Sequence, residues 1–241
     1  MNKRIWELDA FRGICILAVV IIHGVYDLVD LYRIIDWQYP RWFFLLKNWG
    51  GLIFVVLSGI CVTLGSHSVR RGIVVLLCGL GISAVTYGMY HFGMADKGII
   101  IYFGALHCLG VCMILWPVFK QCPWWILLLL GAIGIYFGIE FMSMRTEVHY
   151  LMPFGIVWNG FATSDYFPLL PNLGYFLCGA ALGRLIYRKK QSLLPKVKAN
   201  KGLLGFFQKC GRSSLWIYLV HQPVLNGLCV LILEIKKYMG K

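Results

Sequence analysis

The stretch DAFRGICILAVVIIHGVYDLVD, residues 9–30, is apolar enough to cross a bilayer yet contains five ionisable side chains. They are Asp9, Arg12, His23, Asp27 and Asp30. In an α-helix, Arg12 and His23 differ by only about 20° around the axis, and the three aspartates lie within about 60° of Arg12. An ionisable group at the membrane centre costs about 2.5–3.5 kcal/mol on insertion scales. A whole polar face on one apolar helix therefore predicts an active site.

The composition of the chain is that of a membrane protein. Of its 241 residues 59% are hydrophobic, its mean hydropathy is +0.73 and only 14% of its residues are charged, whereas a soluble domain carries about 25%. The net charge of +13 does not indicate a nucleic-acid partner, because the basic residues concentrate in loops on one side of the membrane. The nine cysteines lie mostly within apolar runs and no ligand set has compact spacing, so we predict neither disulfides nor a metal site.

Apolar runs along the chain predict an all-α, polytopic membrane helix bundle in one domain, residues 1–241. About seven runs are long enough to cross the lipid bilayer. They cover roughly residues 9–31, 42–65, 70–92, 99–119, 122–142, 167–187 and 213–236.

The distribution of Lys and Arg predicts a cytoplasmic amino terminus. With seven spans, the amino terminus and the even-numbered loops carry fifteen of the 23 basic residues, against eight on the other side. The segment 188–212, interpreted as a loop, holds eight of the fifteen, including Lys198. This charge serves mainly as an orientation signal, and binding to anionic lipid or to a phosphorylated cofactor is the second interpretation.

His23 and Asp27 form the candidate catalytic pair. At a spacing of i, i+4 the carboxylate can reach an imidazole nitrogen and fix its tautomer, as acid–base catalysis requires. The alternative is a hydrogen bond that only holds helices together. Arg12 pairs with Asp9 at i, i+3 in the structural interpretation, and in the functional one its guanidinium is directed at phosphate.

Two further histidines fall in predicted spans. His221 follows Ser214 by seven residues on the same helical face, and His107 is flanked by Gly104 and Gly110, which let a ligand or a helix approach closely. Packing alone also explains both histidines. Asp165 and Tyr166, at the start of the sixth span, line an acceptor entrance or anchor the chain at the membrane surface.

Four blocks of this sequence resemble the heparan-alpha-glucosaminide N-acetyltransferase catalytic-domain family, in its prokaryotic branch. They are RIWELDAFRG with the following His and Asp (4–27), IYFGALHCLG (101–110), DYFPLLPNLGYFLCG (165–179) and GRSSLWIYLVHQPVL (211–225). The spacing Arg12-x10-His23 also resembles the acyltransferase-3 membrane enzymes.

The resemblance implies an enzyme of the prokaryotic cytoplasmic membrane that transfers acetyl from cytoplasmic acetyl-CoA to a hydroxyl or amine of a sugar-type acceptor outside. On that basis His23 and Asp27 are catalytic. Binding of the donor acetyl-CoA is assigned to Arg12, Arg212, Ser214, His221 and His107. Binding of the acceptor is assigned to Asp30, Asp165 and Tyr166. The sequence is compatible with a monomer and with a homodimer.

Two functions of other classes remain open at this point. Two of the three membrane histidines are compatible with axial ligation of haem in an electron carrier. The buried charges are also compatible with a proton relay in a small permease.

Overall fold

The computed structural model describes residues 5–197 and 201–239, apart from the side chain of Asn48. Lys198 of the basic segment, and Lys3, Arg4 and Lys241 of the charge count, lie outside this part. The described residues are mainly helical, with two isolated β-bridges and no strand. The helices are α1 (Trp6–Tyr26, continued by a π-helical turn Asp27–Leu31), α2 (Arg41–Leu64), α3 (Ser68–His91), α4 (Ala105–Phe119), α5 (Trp124–Ser143), α6 (Leu169–Ile186), α7 (Gly202–Arg212) and α8 (Ser214–Met239). The predicted all-α class is confirmed.

Six helices in the described part are long and apolar enough to cross a membrane: α1 with its π-turn, α2, α3, α5, α6 and α8. Each lies within a few residues of its predicted span. The predicted fourth span, 99–119, contains a shorter helix of 15 residues. Residues 97–99 form a separate 3₁₀ turn and residue 100 is extended, so α4 begins only at Ala105. A helix that crosses a bilayer alone needs about 20 residues.

The basic segment 188–212 is not wholly a loop, contrary to the sequence interpretation, because its second part forms α7. The buried positions of α7 are Gly205, Gln208 and Gly211, which recur every three residues on one face. Two of these residues lack a side chain and the third is polar. The apolar residues Leu203, Leu204 and Phe207 do follow a helical period, so the sequence interpretation overlooked a signal that was present.

The chain divides into two compact units, residues 1–54 with 191–241, and residues 55–190. In the first unit α1 packs against α7 and α8. A Cβ atom on Gly13 would overlap the carbonyl oxygen of Phe207, and one on Gly211 would overlap that of Asp9. The pairing of 13 with 207 and of 9 with 211 makes α1 and α7 antiparallel, with their backbones in contact at the two glycines.

The second unit holds α3 to α6, where α3 packs on α4 and α5 on α6. A Cβ atom on Gly72 would lie 2.7 Å from the carbonyl oxygen of Gly110, and one on Gly79 would lie 3.0 Å from the His107 ring. Small residues thus allow close helix contact in this unit as well. The assignment of both units to one domain stays a prediction.

Candidate active site

His23 of α1 and His221 of α8 are in direct contact, although 198 positions separate them in the chain. His23 Nδ1 lies 2.7 Å from His221 Nε2, and the ring planes are inclined by only 17°. His221 is buried and His23 is half-buried. Two of the three predicted membrane histidines therefore form one pair within the first unit.

The hydrogen-bond network assigns the tautomers of this pair. His221 Nδ1 lies 2.6 Å from the carbonyl oxygen of Tyr218, which can only accept, so Nδ1 carries the proton. His221 Nε2 is then the acceptor in the neutral ring, and His23 Nδ1 donates to it. The lone pair of His23 consequently resides on Nε2, which has no hydrogen-bond partner in the described part of the chain. This nitrogen is available as a base or a nucleophile.

No side-chain hydrogen bond joins Asp27 to His23 in the described chain, and the orienting role predicted from their spacing stays a prediction. Its fully buried carboxylate accepts hydrogen bonds from Nε2 of Gln222 on α8, at 3.2 Å to each oxygen. The backbone N–H of Asp27 still bonds to the carbonyl oxygen of His23, so the helix is regular up to this residue, and the π-helical turn follows it. The side chain bonded to the His23 ring is that of His221.

Beyond this turn, two more polar contacts hold the first unit together. Tyr39 Oη donates to Asp30 Oδ2 at 2.6 Å, and Tyr32 Oη donates to Asn226 at 3.1 Å. Burial, then the hydrogen bond with Asp30 and its charge, raise the pKa of Tyr39 to about 12, so that this phenol remains a donor. Asp30, predicted to bind the acceptor, already has this protein partner.

At the other end of α1, Asp9 pairs with Arg212 and not with Arg12. Arg212 Nε lies 3.3 Å from Asp9 Oδ2, and its guanidinium also donates to Gln208 at 3.3 Å. Arg12 is half-buried and makes no hydrogen bond or ion pair with any described residue. Ser214, a further predicted donor ligand, is half-buried at the first position of α8. Of the two arginines assigned to the donor, Arg12 is therefore the one that is free of acidic partners in the described chain.

His107 lies in the second unit, where protein groups satisfy both of its ring nitrogens. Its Nδ1 accepts from the backbone N–H of Gly104 at 3.2 Å, so Nε2 carries the proton and donates to Ser83 Oγ at 3.2 Å. Ser83 in turn donates to the carbonyl of Ile101. This chain of bonds joins α3 to the start of α4, which favours the packing interpretation. Contact of His107 with the donor stays a prediction.

Asp165 and Tyr166 also belong to the second unit. Asp165 Oδ2 accepts from the backbone N–H of Ala105 at 3.0 Å and thereby caps α4. Tyr166 Oη donates to the carbonyl of Met152 at 2.7 Å, and burial raises its pKa to about 12. Both side chains therefore have structural roles, and their predicted contacts with the acceptor are untested.

Sequence reasoning missed Tyr218 and Asn226 at this site, and it noted Gln222 only as a neighbour of His221 at the kink expected from Pro223. Tyr218 contributes its backbone carbonyl to His221, Gln222 bonds to Asp27 and Asn226 bonds to Tyr32. None of these contacts shows as apolar periodicity or as a local motif. Gln222 Oε1 is buried without a partner in the described chain. The only signal for Gln222 was its position beside His221.

The geometry gives no support to the haem alternative. His23 and His221 are hydrogen-bonded to each other, so an iron atom between them would have to break that bond. Among the described residues no group of three or more His, Cys, Asp or Glu side chains is arranged to hold a metal ion.

Six helices of membrane-spanning length in the described chain indicate an integral membrane protein, and its imidazole pair leaves one basic nitrogen without a hydrogen-bond partner among the described residues. The family model described as "Heparan-alpha-glucosaminide N-acetyltransferase, catalytic" matches residues 4–223, and the chain belongs to this family. Membership implies membrane acetyltransferase activity in general terms and confirms the family predicted from the four sequence blocks. No curated protein and no solved structure matches the chain.

Proposed function

We propose that this protein transfers an acetyl group from acetyl-CoA to a hydroxyl or amine of a sugar-type acceptor. The observation that carries the proposal is the oriented histidine pair, which leaves a lone pair on His23 Nε2. Family membership supports the class of reaction. The spacing of Arg12 and His23 further supports a relation to the acyltransferase-3 enzymes.

In this mechanism His23 Nε2 removes the proton of the acceptor group as that group attacks the thioester carbonyl carbon. The bond from carbon to sulfur then breaks, and the departing thiolate takes the proton back from the His23 imidazolium. His221 holds the ring through His23 Nδ1 and spreads the positive charge that forms. Direct attack of His23 Nε2 on the thioester, with an acetyl-histidine intermediate, uses the same lone pair.

Arg12 binds the phosphates of the donor in this proposal. It lies eleven residues before His23 on one continuous helix, a separation of roughly 16 Å at 1.5 Å per residue. That length is comparable to an extended pantetheine arm. The cytoplasmic amino terminus, supported by the Lys and Arg count, puts Arg12 on the side where coenzyme A is made.

The side of the membrane on which the acceptor lies, the number of domains and the oligomeric state are further parts of this proposal. The acceptor is on the outer side of a prokaryotic cytoplasmic membrane, and one domain, monomeric or dimeric, carries the activity. The family match across both units supports the single domain.

The experiment that tests the function combines binding and turnover. Purified protein is incubated with acetyl-CoA and a panel of amino sugars and neutral sugars, while free coenzyme A and acetylated acceptor are measured by mass spectrometry. We expect both products in equal amounts, and a higher thermal unfolding midpoint with coenzyme A. Unchanged midpoint and no product would contradict the proposal.

Replacing Arg12 with glutamine should raise KM for acetyl-CoA about tenfold with little change in kcat, because one charge-assisted contact to phosphate is lost. S-acetylpantetheine, which lacks the nucleotide phosphates, serves as the second donor. With it the variant should match the wild type, since the contact is absent in both. Arg33→Gln, which removes an exposed cation of the same unit, is the matched control. Equal losses with both donors would show that Arg12 acts on structure instead.

A further inference from the structure

A surface cleft of about 520 Å³ lies in the second unit, between the start of α3 and the end of α4. Ser68, Arg70 and Ile73 of α3 line one side, with Val74 beside them. Pro117 and Lys120 line the other. The lining thus combines two cationic side chains with an apolar wall.

The cations of this cleft have no acidic counterpart nearby in the sequence. Neither residues 60–75 nor residues 113–127, which form the two sides, contain Asp or Glu. Arg70 and Lys120 are both exposed, and neither forms a salt bridge with a described acidic side chain. The cleft therefore presents a net positive charge that a bound anion would neutralise.

The rim of the cleft is built by fixed contacts. The Arg184 guanidinium donates to the carbonyl oxygens of Lys120 and Cys122 and lies 5.7 Å from the centre of the Trp116 ring. Arg184 thus stabilises this turn through its hydrogen bonds. The side chains that can bind a ligand in the cleft are therefore those of Arg70 and Lys120. On the opposite side, the close approach of α4 to Gly72 brings the two helix ends together.

Two features of the chain indicate that the cleft lies at the level of the water–lipid interface. The cleft lies at the first turn of α3, a helix long enough to cross the membrane. The exposed indoles of Trp124 and Trp125 begin α5 only four residues after Lys120, and tryptophan is enriched at the headgroup level. A cation-lined cleft with an apolar wall at this level matches the phosphate and the upper acyl chain of a phospholipid.

We propose that this cleft binds the phosphate of an anionic phospholipid, with Arg70 and Lys120 on the phosphate and Ile73, Val74 and Pro117 against the acyl chain. The site is independent of the histidine pair and of the acetyl transfer proposed above.

The test measures the thermal unfolding midpoint of the purified protein in neutral detergent. It is titrated with phosphatidylglycerol, phosphatidylcholine, glycerol 3-phosphate or inorganic phosphate. We expect phosphatidylglycerol alone to raise the midpoint. For the double variant Arg70→Gln/Lys120→Gln the concentration that gives half of the effect should rise at least tenfold. The matched control, Arg33→Gln/Lys97→Gln, removes two exposed cations that do not line the cleft and should respond like the wild type.

Three outcomes would overturn the lipid site. The double variant responds to phosphatidylglycerol as the wild type does, phosphatidylcholine is equally effective, or phosphate or glycerol 3-phosphate reproduces the shift. The last outcome would assign the cleft to a soluble phosphate compound. Because none of these readouts uses acetyl-CoA, they are separate from the test of the acetyltransferase function.

Discussion

Replacement of His23 by alanine should lower kcat for acetyl transfer about 10³-fold, because it removes the only oriented basic nitrogen that we assign to the reaction. The measurement is steady-state release of coenzyme A at saturating donor and acceptor. His91→Ala is the matched control, since this histidine is exposed at the last position of α3. A His23→Ala enzyme with more than a tenth of wild-type kcat would refute the assignment.

The same assay distinguishes the two candidate orienting groups for His23. His221→Leu removes the acceptor of the His23 Nδ1 proton and should lower kcat about 10²-fold. His221→Gln restores an acceptor oxygen near that position and should recover part of this loss. Asp27→Asn, which changes a group bonded to Gln222, should leave kcat within a few-fold of the wild type. An Asp27→Asn loss as large as that of His221→Leu would return the orienting role to Asp27.

The second large effect concerns folding, at the contact of α1 with α7. Gly13→Ala should destabilise the protein by about 1–3 kcal/mol, because the new methyl group meets a backbone carbonyl of α7 that cannot rotate away. The measurement is the free energy of unfolding in mixed micelles. Gly227→Ala in α8 is the control, since a Cβ atom there meets nothing within 4 Å. Alanine in place of a helical glycine should then be neutral or stabilising.

Gly211→Ala should cost about as much as Gly13→Ala, since both glycines belong to one helix crossing. The double variant should cost less than the sum of the two, because helices that the first methyl group has separated already accommodate the second. Additive losses, or a Gly13→Ala protein as stable as the wild type, would contradict the proposed backbone contact.

Local sequence determined the membrane architecture. Each long apolar run predicts a helix without reference to the rest of the chain. The reason is that a segment crossing the bilayer must satisfy its backbone hydrogen bonds internally. Six spans therefore agree with the prediction to within a few residues. The fourth span does not agree with the prediction. Its first residues have no helical period of their own and fold as a 3₁₀ turn followed by extended chain.

The polar face of α1 was also visible in the sequence. It singled out His23 and Arg12 as candidate site residues. Helical phase follows from residue number alone, so side chains eleven residues apart can be assigned to one face without a structure. The family resemblance rested on short blocks in order, and the family match confirms it.

Only the tertiary structure decided which partner each polar group has. His23 meets His221 across 198 residues, Gln222 meets Asp27 across 195, and Arg212 meets Asp9 across 203. Sequence spacing can propose only the local pairs of Asp27 with His23 and of Asp9 with Arg12. Neither local pair forms, because a residue of a neighbouring helix lies closer to each aspartate than the residue on the next turn of the same helix does. The sequence by itself thus determined the six long membrane helices, the polar face and the family. The packing of α7 and α8 against α1 decided the orientation of His23 and the freedom of Arg12.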